Sequence, residues 1–123
     1  MNFDKINNTL IELIYIPRRV CQDPAVSVHD FLKDAGYFEI RAQISEKNIY
    51  DVLVFHPDLV EDWLQYSEDK RSDHGWYFIK KSEGKYIVGY LSKESDMVFE
   101  YNDELKACSS FINRELGEVK KSE

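Results

Sequence analysis

The stretch YSEDKRSDHGWYFIKK, residues 66–81, separates two parts of the chain that have different sequence patterns. It begins with charged and polar residues and, after Gly75, continues with four large apolar residues in a row. A change of this kind is typical of the point where helices give way to β-strands. We therefore predict helices before residue 70, strands after Gly75, and a loop that leads from a helix C-terminus into the first strand.

Two helices are predicted in the N-terminal third of the chain. Residues 3–16 place apolar side chains on one stripe, which favours an amphipathic helix, and Pro17 is predicted to stop it. Ser27 is a favoured N-cap residue, and Gly36 is typical of a helix C-terminus. The sequence therefore predicts a short second helix between Ser27 and Gly36.

Two further helices are predicted ahead of the connecting loop. Ser45 opens the segment SEKNIYDVLVFH, residues 45–56, in which apolar residues and His56 recur at helical spacing. Pro57 then breaks the chain before DLVEDWLQYSE, residues 58–68, which has a helical pattern of its own. Four helices are thus expected before residue 70.

Three short segments after the loop are predicted to be strands. They are GWYFIKK (75–81), KYIVGYL (85–91) and MVFEY (97–101), which are rich in aromatic and β-branched residues and are separated by turn-forming segments. This pattern predicts a three-stranded antiparallel meander. Asn102 is predicted to cap a last helix over residues 103–116. The predicted fold class is α+β, with N-terminal helices, the meander and a C-terminal helix.

The length of the chain bounds the number of domains. A chain of 123 residues is long enough for one hydrophobic core, so we predict a single domain over residues 1–123. Cys21 and Cys108 lie in no metal-binding or redox motif, and no apolar leader precedes the first helix. We therefore expect two reduced cysteines in a cytoplasmic protein that has no cofactor and no membrane contact.

The net charge of −7 is concentrated in the middle of the chain. Residues 23–69 hold eleven acidic and three basic residues, whereas the rest of the sequence is close to neutral. A field of one sign repels nucleic acids and anionic membranes and attracts basic partners. We therefore expect no direct binding of nucleic acid, and a partner that has a basic surface.

The sequence holds none of the motifs of common catalytic or phosphate-binding sites. Its three histidines fall on different predicted elements, and its five glycines form no phosphate-binding loop. His56, Asp58 and Glu61 leave open a small metal-dependent enzyme as an alternative. However, side chains three or four residues apart on one helix form a surface row rather than a cage. We therefore predict no catalytic residue, no metal site and no enzyme activity.

The fourth predicted helix carries an acidic row opposite its apolar stripe. Like charges at helical spacing weaken an isolated helix by about 0.2–0.5 kcal/mol per pair, so their clustering indicates a binding surface for a basic partner. A role in solubility explains such a row equally well. Glu61 and Asp62 are both predicted to face solvent. The row consists of Asp58, Glu61, Asp62, Gln65, Glu68 and Asp69.

The predicted sheet offers a second candidate surface. Seven aromatic residues lie between positions 76 and 101, and strand alternation places Trp76 and Phe78 on one face and Tyr77 on the other. Burial of Trp76 in the core is the commoner arrangement for a tryptophan that opens a strand. An aromatic face that stays exposed is typical of a protein interface. Trp76 and Tyr77 are therefore candidate binding residues.

The block WLQYSEDKRSDHGWYF (63–78) and the later helix ELKACSSFINREL (104–116) carry a resemblance to a known family. Together with the meander between them, they resemble small bacterial immunity proteins, which protect a cell against the toxin domains of contact-dependent growth inhibition systems. The matching positions are Trp63, residues 66–71, residues 75–78 and residues 107–116. The resemblance covers the second half of the chain.

The resemblance implies a protein that neutralises a toxin by stoichiometric binding, without chemistry of its own. It implies that the partner is a cognate toxin domain, and that this toxin is a cytoplasmic nuclease with a basic cleft. An acidic surface suits such a cleft, because complementary charge speeds association. The predicted toxin-binding residues are Asp58, Glu61, Asp62, Glu68, Asp69, Asp73, Trp76 and Tyr77.

One other alternative from the sequence is an acidic mimic of nucleic acid. Such a protein would inhibit a host nuclease or a DNA-binding protein, and it would need the same acidic row. Its partner would be encoded by the host, whereas the partner of an immunity protein is a toxin. The gene next to that of the protein therefore discriminates between the two functions.

Overall fold

The computed structural model describes residues 2–22, 27–70, 75–92 and 96–119. Within them, helices precede and follow a three-stranded antiparallel sheet, which confirms the predicted α+β class. The elements are α1 (Asn2–Ile14), α2 (Ile16–Gln22), α3 (Val28–Ala35), α4 (Tyr37–Ile40), a 3-10 turn (Arg41–Gln43), α5 (Glu46–Leu53), α6 (Leu59–Lys70), β1 (Gly75–Ser82), β2 (Lys85–Leu91), β3 (Met97–Tyr101) and α7 (Glu104–Gly117).

Pro17 lies inside the first turn of a helix and does not end one. The first helix stops at Ile14, Tyr15 forms a turn, and α2 begins at Ile16. Proline fits the first turn of a helix because the N–H that it lacks would have no partner within the helix. The backbone N–H groups of Arg18 and Arg19 both donate to the carbonyl of Tyr15, which starts the new helix.

The caps of α3 and α5 are those that the sequence predicts. Ser27 Oγ accepts from the backbone N–H of Asp30 at 3.1 Å, and Gly36 ends α3 with φ of 81°. Ser45 accepts from the N–H of Asn48, and the Asn48 side chain in turn accepts from the N–H of Ser45, which forms a reciprocal capping box. These local bonds fix both starting points without help from the core.

Three details of the helices differ from the prediction. The chain between Gly36 and Ser45, for which the sequence predicted no element, forms α4 and the 3-10 turn, so six α-helices lie within the described residues up to Lys70 instead of the four predicted. The helix α5 ends at Leu53, so His56 lies outside it. The N-cap of α7 is Asp103 and not Asn102, because the Asp103 carboxylate accepts from the N–H groups two and three residues further on.

The register of the sheet decides which side chains share a face. Antiparallel pairing sets Trp76 opposite Tyr90 and Phe78 opposite Val88, and Val88 also lies opposite Phe99. Six of the seven aromatic residues therefore point to the face that α7 covers, where the Phe78 and Phe111 rings stack at 5.7 Å. Tyr77 belongs to the opposite face.

Buried contacts join the helices to this face of the sheet. The Trp63 side chain is fully buried, and its indole Nε1–H donates to the carbonyl of Ile14 at 3.0 Å. The ring of Trp63 also meets that of Phe111. One tryptophan on α6 therefore links the end of α1 to α7, and this contact decides which side of α6 faces outwards.

Candidate partner-binding surface

Arg18 on α2 holds two of the predicted acidic residues. Its Nη2 lies 2.8 Å from Asp58 Oδ2, and its Nε lies 2.6 Å from Asp62 Oδ2. The Asp62 side chain is only partly exposed, so the prediction that Asp62 faces solvent is wrong in part. Arg18 neutralises one negative charge here and ties α2 to the N-terminal end of α6.

This ion pair changes the acidity of Asp58. The Arg18 guanidinium donates a hydrogen bond to Asp58 and holds the pKa of that carboxyl below its ordinary value. The same contacts, with Asp58 first and Asp62 second, raise the pKa of Arg18. Asp58 therefore stays ionised in the folded protein near neutral pH.

The rest of the acidic row is open to solvent. Glu61, Glu68 and Asp69 are exposed on α6, and Asp69 accepts from the Gln65 amide at 2.9 Å. The row therefore has two parts, an N-terminal part that Arg18 holds and a part with three carboxylates that face outwards. Asp73, which was also predicted to bind the toxin, lies outside the described residues.

A pocket of about 560 Å³ lies beside the row, between α2 and α6. Its apolar wall comes from α2 and from the ring of Tyr66, while two carboxylates and one guanidinium supply charge at its rim. An apolar pocket with acidic groups suits the aliphatic stem and charged end of a lysine or arginine side chain. The residues that line it include Pro17, Arg18, Val20, Asp62, Tyr66 and Asp69.

Trp76 is a core residue and presents no ring to a partner. Its side chain is 7 % exposed, its ring meets that of Tyr90 edge-on at 5.0 Å, and the Arg114 guanidinium lies 4.9 Å from its centre. The same guanidinium lies 4.4 Å from the ring centre of Phe99. Trp76 is therefore buried in the core, which is the commoner arrangement for such a residue, and its prediction as a toxin-binding residue is wrong.

Tyr77 lies on the sheet face opposite α7. A Cβ atom added to Gly89 would lie 2.3 Å from the Tyr77 hydroxyl oxygen, so this ring lies flat across the neighbouring strand. Ile79 and Val98 on the same face are 46 % and 58 % exposed. This face is therefore open and partly apolar, and Tyr77 is the one predicted aromatic residue that reaches it.

The residues of the metal-enzyme alternative are spread over separate contacts. The His56 Nδ1 lies 2.9 Å from the Tyr15 hydroxyl. Asp58 forms an ion pair with Arg18, and Glu61 faces solvent. Within the part of the chain that the structure describes, no three histidine, cysteine or acidic side chains could hold a metal ion together. The two cysteines are free; Cys108 is buried, and burial raises the pKa of its thiol well above the ordinary value.

Two residues of this region have no signal in the sequence. Arg18 meets Asp58 and Asp62 across 40 and 44 positions of the chain, and a charge pattern along the sequence shows only neighbours on one helix. Phe55 was expected to continue a helix, but it follows the end of α5 and its side chain is exposed. Helical spacing alone therefore placed it on the wrong kind of element.

Comparison with known proteins leaves the family of the chain open. No family model, no curated protein and no solved structure matches it. In the described ranges 2–22, 27–70, 75–92 and 96–119, no helix combines the length and the apolar character that crossing a membrane requires. The fold and the surface geometry are therefore the basis for a functional proposal.

Proposed function

We propose that this protein is a cytoplasmic immunity protein that binds a cognate toxin domain and blocks it without catalysis. The observation that carries the proposal is the outward side of α6, where Glu61, Glu68 and Asp69 are exposed and Asp69 also lines the pocket between α2 and α6. A concave apolar site whose rim carries two carboxylates and one guanidinium has a net negative charge, which suits a basic protein surface. The toxin that fits this chemistry is a nuclease, because its cleft is basic in order to bind nucleic acid.

Such a complex needs only occupation of the cleft. The acidic side of α6 competes with the phosphates of the substrate for the same basic side chains, and the toxin is inactive while the cleft is filled. Exposed charges at the rim mostly raise the association rate, whereas buried contacts slow dissociation. The Arg18 ion pairs hold Asp58 and Asp62 in fixed positions before the toxin arrives, which lowers the entropy cost of ordering them.

The test uses the C-terminal toxin domain encoded next to the gene of this protein. Wild-type protein is expected to form a 1:1 complex with that domain and to abolish its nuclease activity. The variant Glu61→Lys with Glu68→Lys reverses two exposed charges on α6. Its association rate is expected to fall at least about tenfold at low ionic strength, and its salt dependence to flatten.

A matched control makes the same change of net charge elsewhere. Asp34→Lys with Glu39→Lys alters two exposed acids, on α3 and α4. Both double variants are expected to keep the melting temperature of the wild type, because exposed charge changes alter the stability by no more than about 0.5 kcal/mol. Equal loss of binding in both would mean that only the net charge matters. No binding of the toxin domain by wild-type protein would refute the proposed function.

A further inference from the structure

Phe55 is the most exposed of the large apolar residues that the structure describes, at 81 % exposure. It lies in the turn between α5 and α6, three residues before Asp58. Backbone bonds hold this turn, because Phe55 donates to the carbonyl of Val52 and His56 donates to that of Leu53. The ring is therefore presented to solvent from an ordered backbone, where it contributes little to the core.

The surroundings of Phe55 combine apolar and charged groups. Its neighbour His56 bonds the Tyr15 hydroxyl, and the Arg18 guanidinium lies 5.7 Å from the centre of the Tyr15 ring. Arg18 in turn holds Asp58 and Asp62. Ile11, four residues before Tyr15 in the chain, and Val54 are also exposed. An unbroken chain of contacts thus leads from the residue next to Phe55 to the acidic row.

We infer that Phe55 is the apolar anchor of the interface, and that it enters an apolar cavity rimmed by basic side chains on the toxin. This inference rests on the proposed function, and it names the residue whose burial contributes most to binding. Aromatic residues are enriched at the centres of interfaces, with charged groups around them. Phe55 has charged and aromatic groups close by in the chain, since His56 next to it bonds Tyr15 and Asp58 three residues further on pairs with Arg18.

The open sheet face is the competing surface. It exposes Ile79 and Val98, but the ion pair between Lys81 and Glu100 also lies on it. That pair balances one charge of each sign, so this face offers a basic partner no excess of negative charge. The turn at Phe55, in contrast, lies three residues before Asp58, at the end of the acidic row where two carboxylates share one guanidinium and leave one negative charge in excess.

The experiment compares Phe55→Ala with Val98→Ala in binding to the toxin domain encoded next to the gene. Both residues are more than half exposed, so both variants are expected to melt within about 3 °C of the wild type. Phe55→Ala is expected to weaken the dissociation constant by roughly 30-fold or more, mainly through faster dissociation. Val98→Ala is expected to bind like the wild type.

Each outcome separates the inference from the function that it rests on. Wild-type binding that Phe55→Ala leaves unchanged would overturn the role of Phe55, while the immunity function would stand. A loss in Val98→Ala alone would move the anchor to the sheet face. If wild-type protein does not bind the domain, both the function and the anchor are refuted. A photoreactive phenylalanine analogue at position 55 that crosslinks to the toxin domain would support the inference directly.

Discussion

The backbone N–H of Phe78 donates to the hydroxyl oxygen of Ser67 across 2.7 Å, and this bond attaches α6 to β1. Ser67 is buried on the inner side of α6, while Phe78 lies in the core. β1 is an edge strand, and its outward N–H groups need acceptors that the sheet does not supply. The Ser67 hydroxyl therefore supplies an acceptor to one N–H of the edge strand β1, and this bond holds α6 against the sheet.

Substitution of Ser67 by alanine is expected to lower the free energy of unfolding by about 1–3 kcal/mol, because it leaves the buried N–H of Phe78 without its acceptor. The measurement is chemical denaturation followed by fluorescence. Ser109→Ala is the control, since the buried Ser109 hydroxyl donates to the carbonyl of Leu105 within its own helix. Equal losses in the two variants would show that the bond between α6 and β1 stabilises the fold no more than a hydroxyl bond within one helix does.

Gly89→Ala is expected to destabilise the protein by about 0.5–1.5 kcal/mol, because the new Cβ would overlap the end of the Tyr77 ring and force this side chain into another position over the open face. The double variant Gly89→Ala with Tyr77→Ala is expected to lose less than the sum of the two single changes, since the clash is then absent. Gly117→Ala at the end of α7, where nothing lies within 4 Å of an added Cβ, serves as the control. Thermal unfolding of the wild type and the four variants measures these losses, and strictly additive losses at positions 77 and 89 would contradict the contact.

Arg18→Gln is expected to raise the pKa of Asp58 towards that of an ordinary carboxyl, because the guanidinium is the main cause of its depression. A depressed carboxyl pKa stabilises the folded state above the unfolded value of about 3.9, and this contribution is lost as the pH falls through the folded value. The unfolding free energy of the variant should therefore depend less on pH below about 4. Carboxyl carbon NMR titration measures the shift directly.

The control for this titration is Arg19→Gln on the same helix. The Arg19 guanidinium lies 3.9 Å from Glu12 and contacts neither aspartate of the row in the described structure. The substitution Arg19→Gln removes one positive charge from α2, as Arg18→Gln does. If both variants move the pKa of Asp58 equally, general charge rather than the direct hydrogen bond controls it.

Alkaline pH is expected to destabilise the protein through Tyr66. Burial, with a further contribution from Glu115, raises the pKa of this phenol well above its ordinary value, and its hydroxyl donates to Glu115 Oε2 at 3.1 Å. The unfolded chain loses the proton near pH 10 while the folded chain keeps it, so the free energy of unfolding falls as the pH rises above about 10. In Tyr66→Phe this fall should be shallower. Denaturation curves recorded at intervals from about pH 8 to about pH 11 test this prediction. The same fall in the free energy of unfolding in both proteins would contradict Tyr66 as the cause.

The sequence predicted the strands more closely than the helices, for a physical reason. The predicted strands 85–91 and 97–101 have the observed bounds, because turn residues flank both of them and their side chains favour a pleated surface. The helix α2 was missed because proline ends one helix and starts another equally well. Ser27 and Ser45 were predicted correctly as caps, since a cap depends on bonds within three residues.

The surface was predicted in outline from the spacing on one helix. Leu59, Val60 and Trp63 are buried and Glu61 and Glu68 are exposed, as the two stripes of α6 require. Contacts between distant segments could not be predicted, because the sequence does not show which helix lies next to α6. The ion pairs of Arg18 and the exposure of the turn before α6 both depend on that neighbourhood.

The two sides of α6 are secured independently, and this allows the surface to change while the fold stays the same. Trp63 and Ser67 attach the inner side through bonds to Ile14 and Phe78, and neither bond uses an outward residue. Exchanges at Glu61 and its exposed neighbours therefore cost little folding free energy. A lineage of such proteins could acquire a new partner by replacing a few outward side chains, one at a time, without passing through an unfolded intermediate sequence.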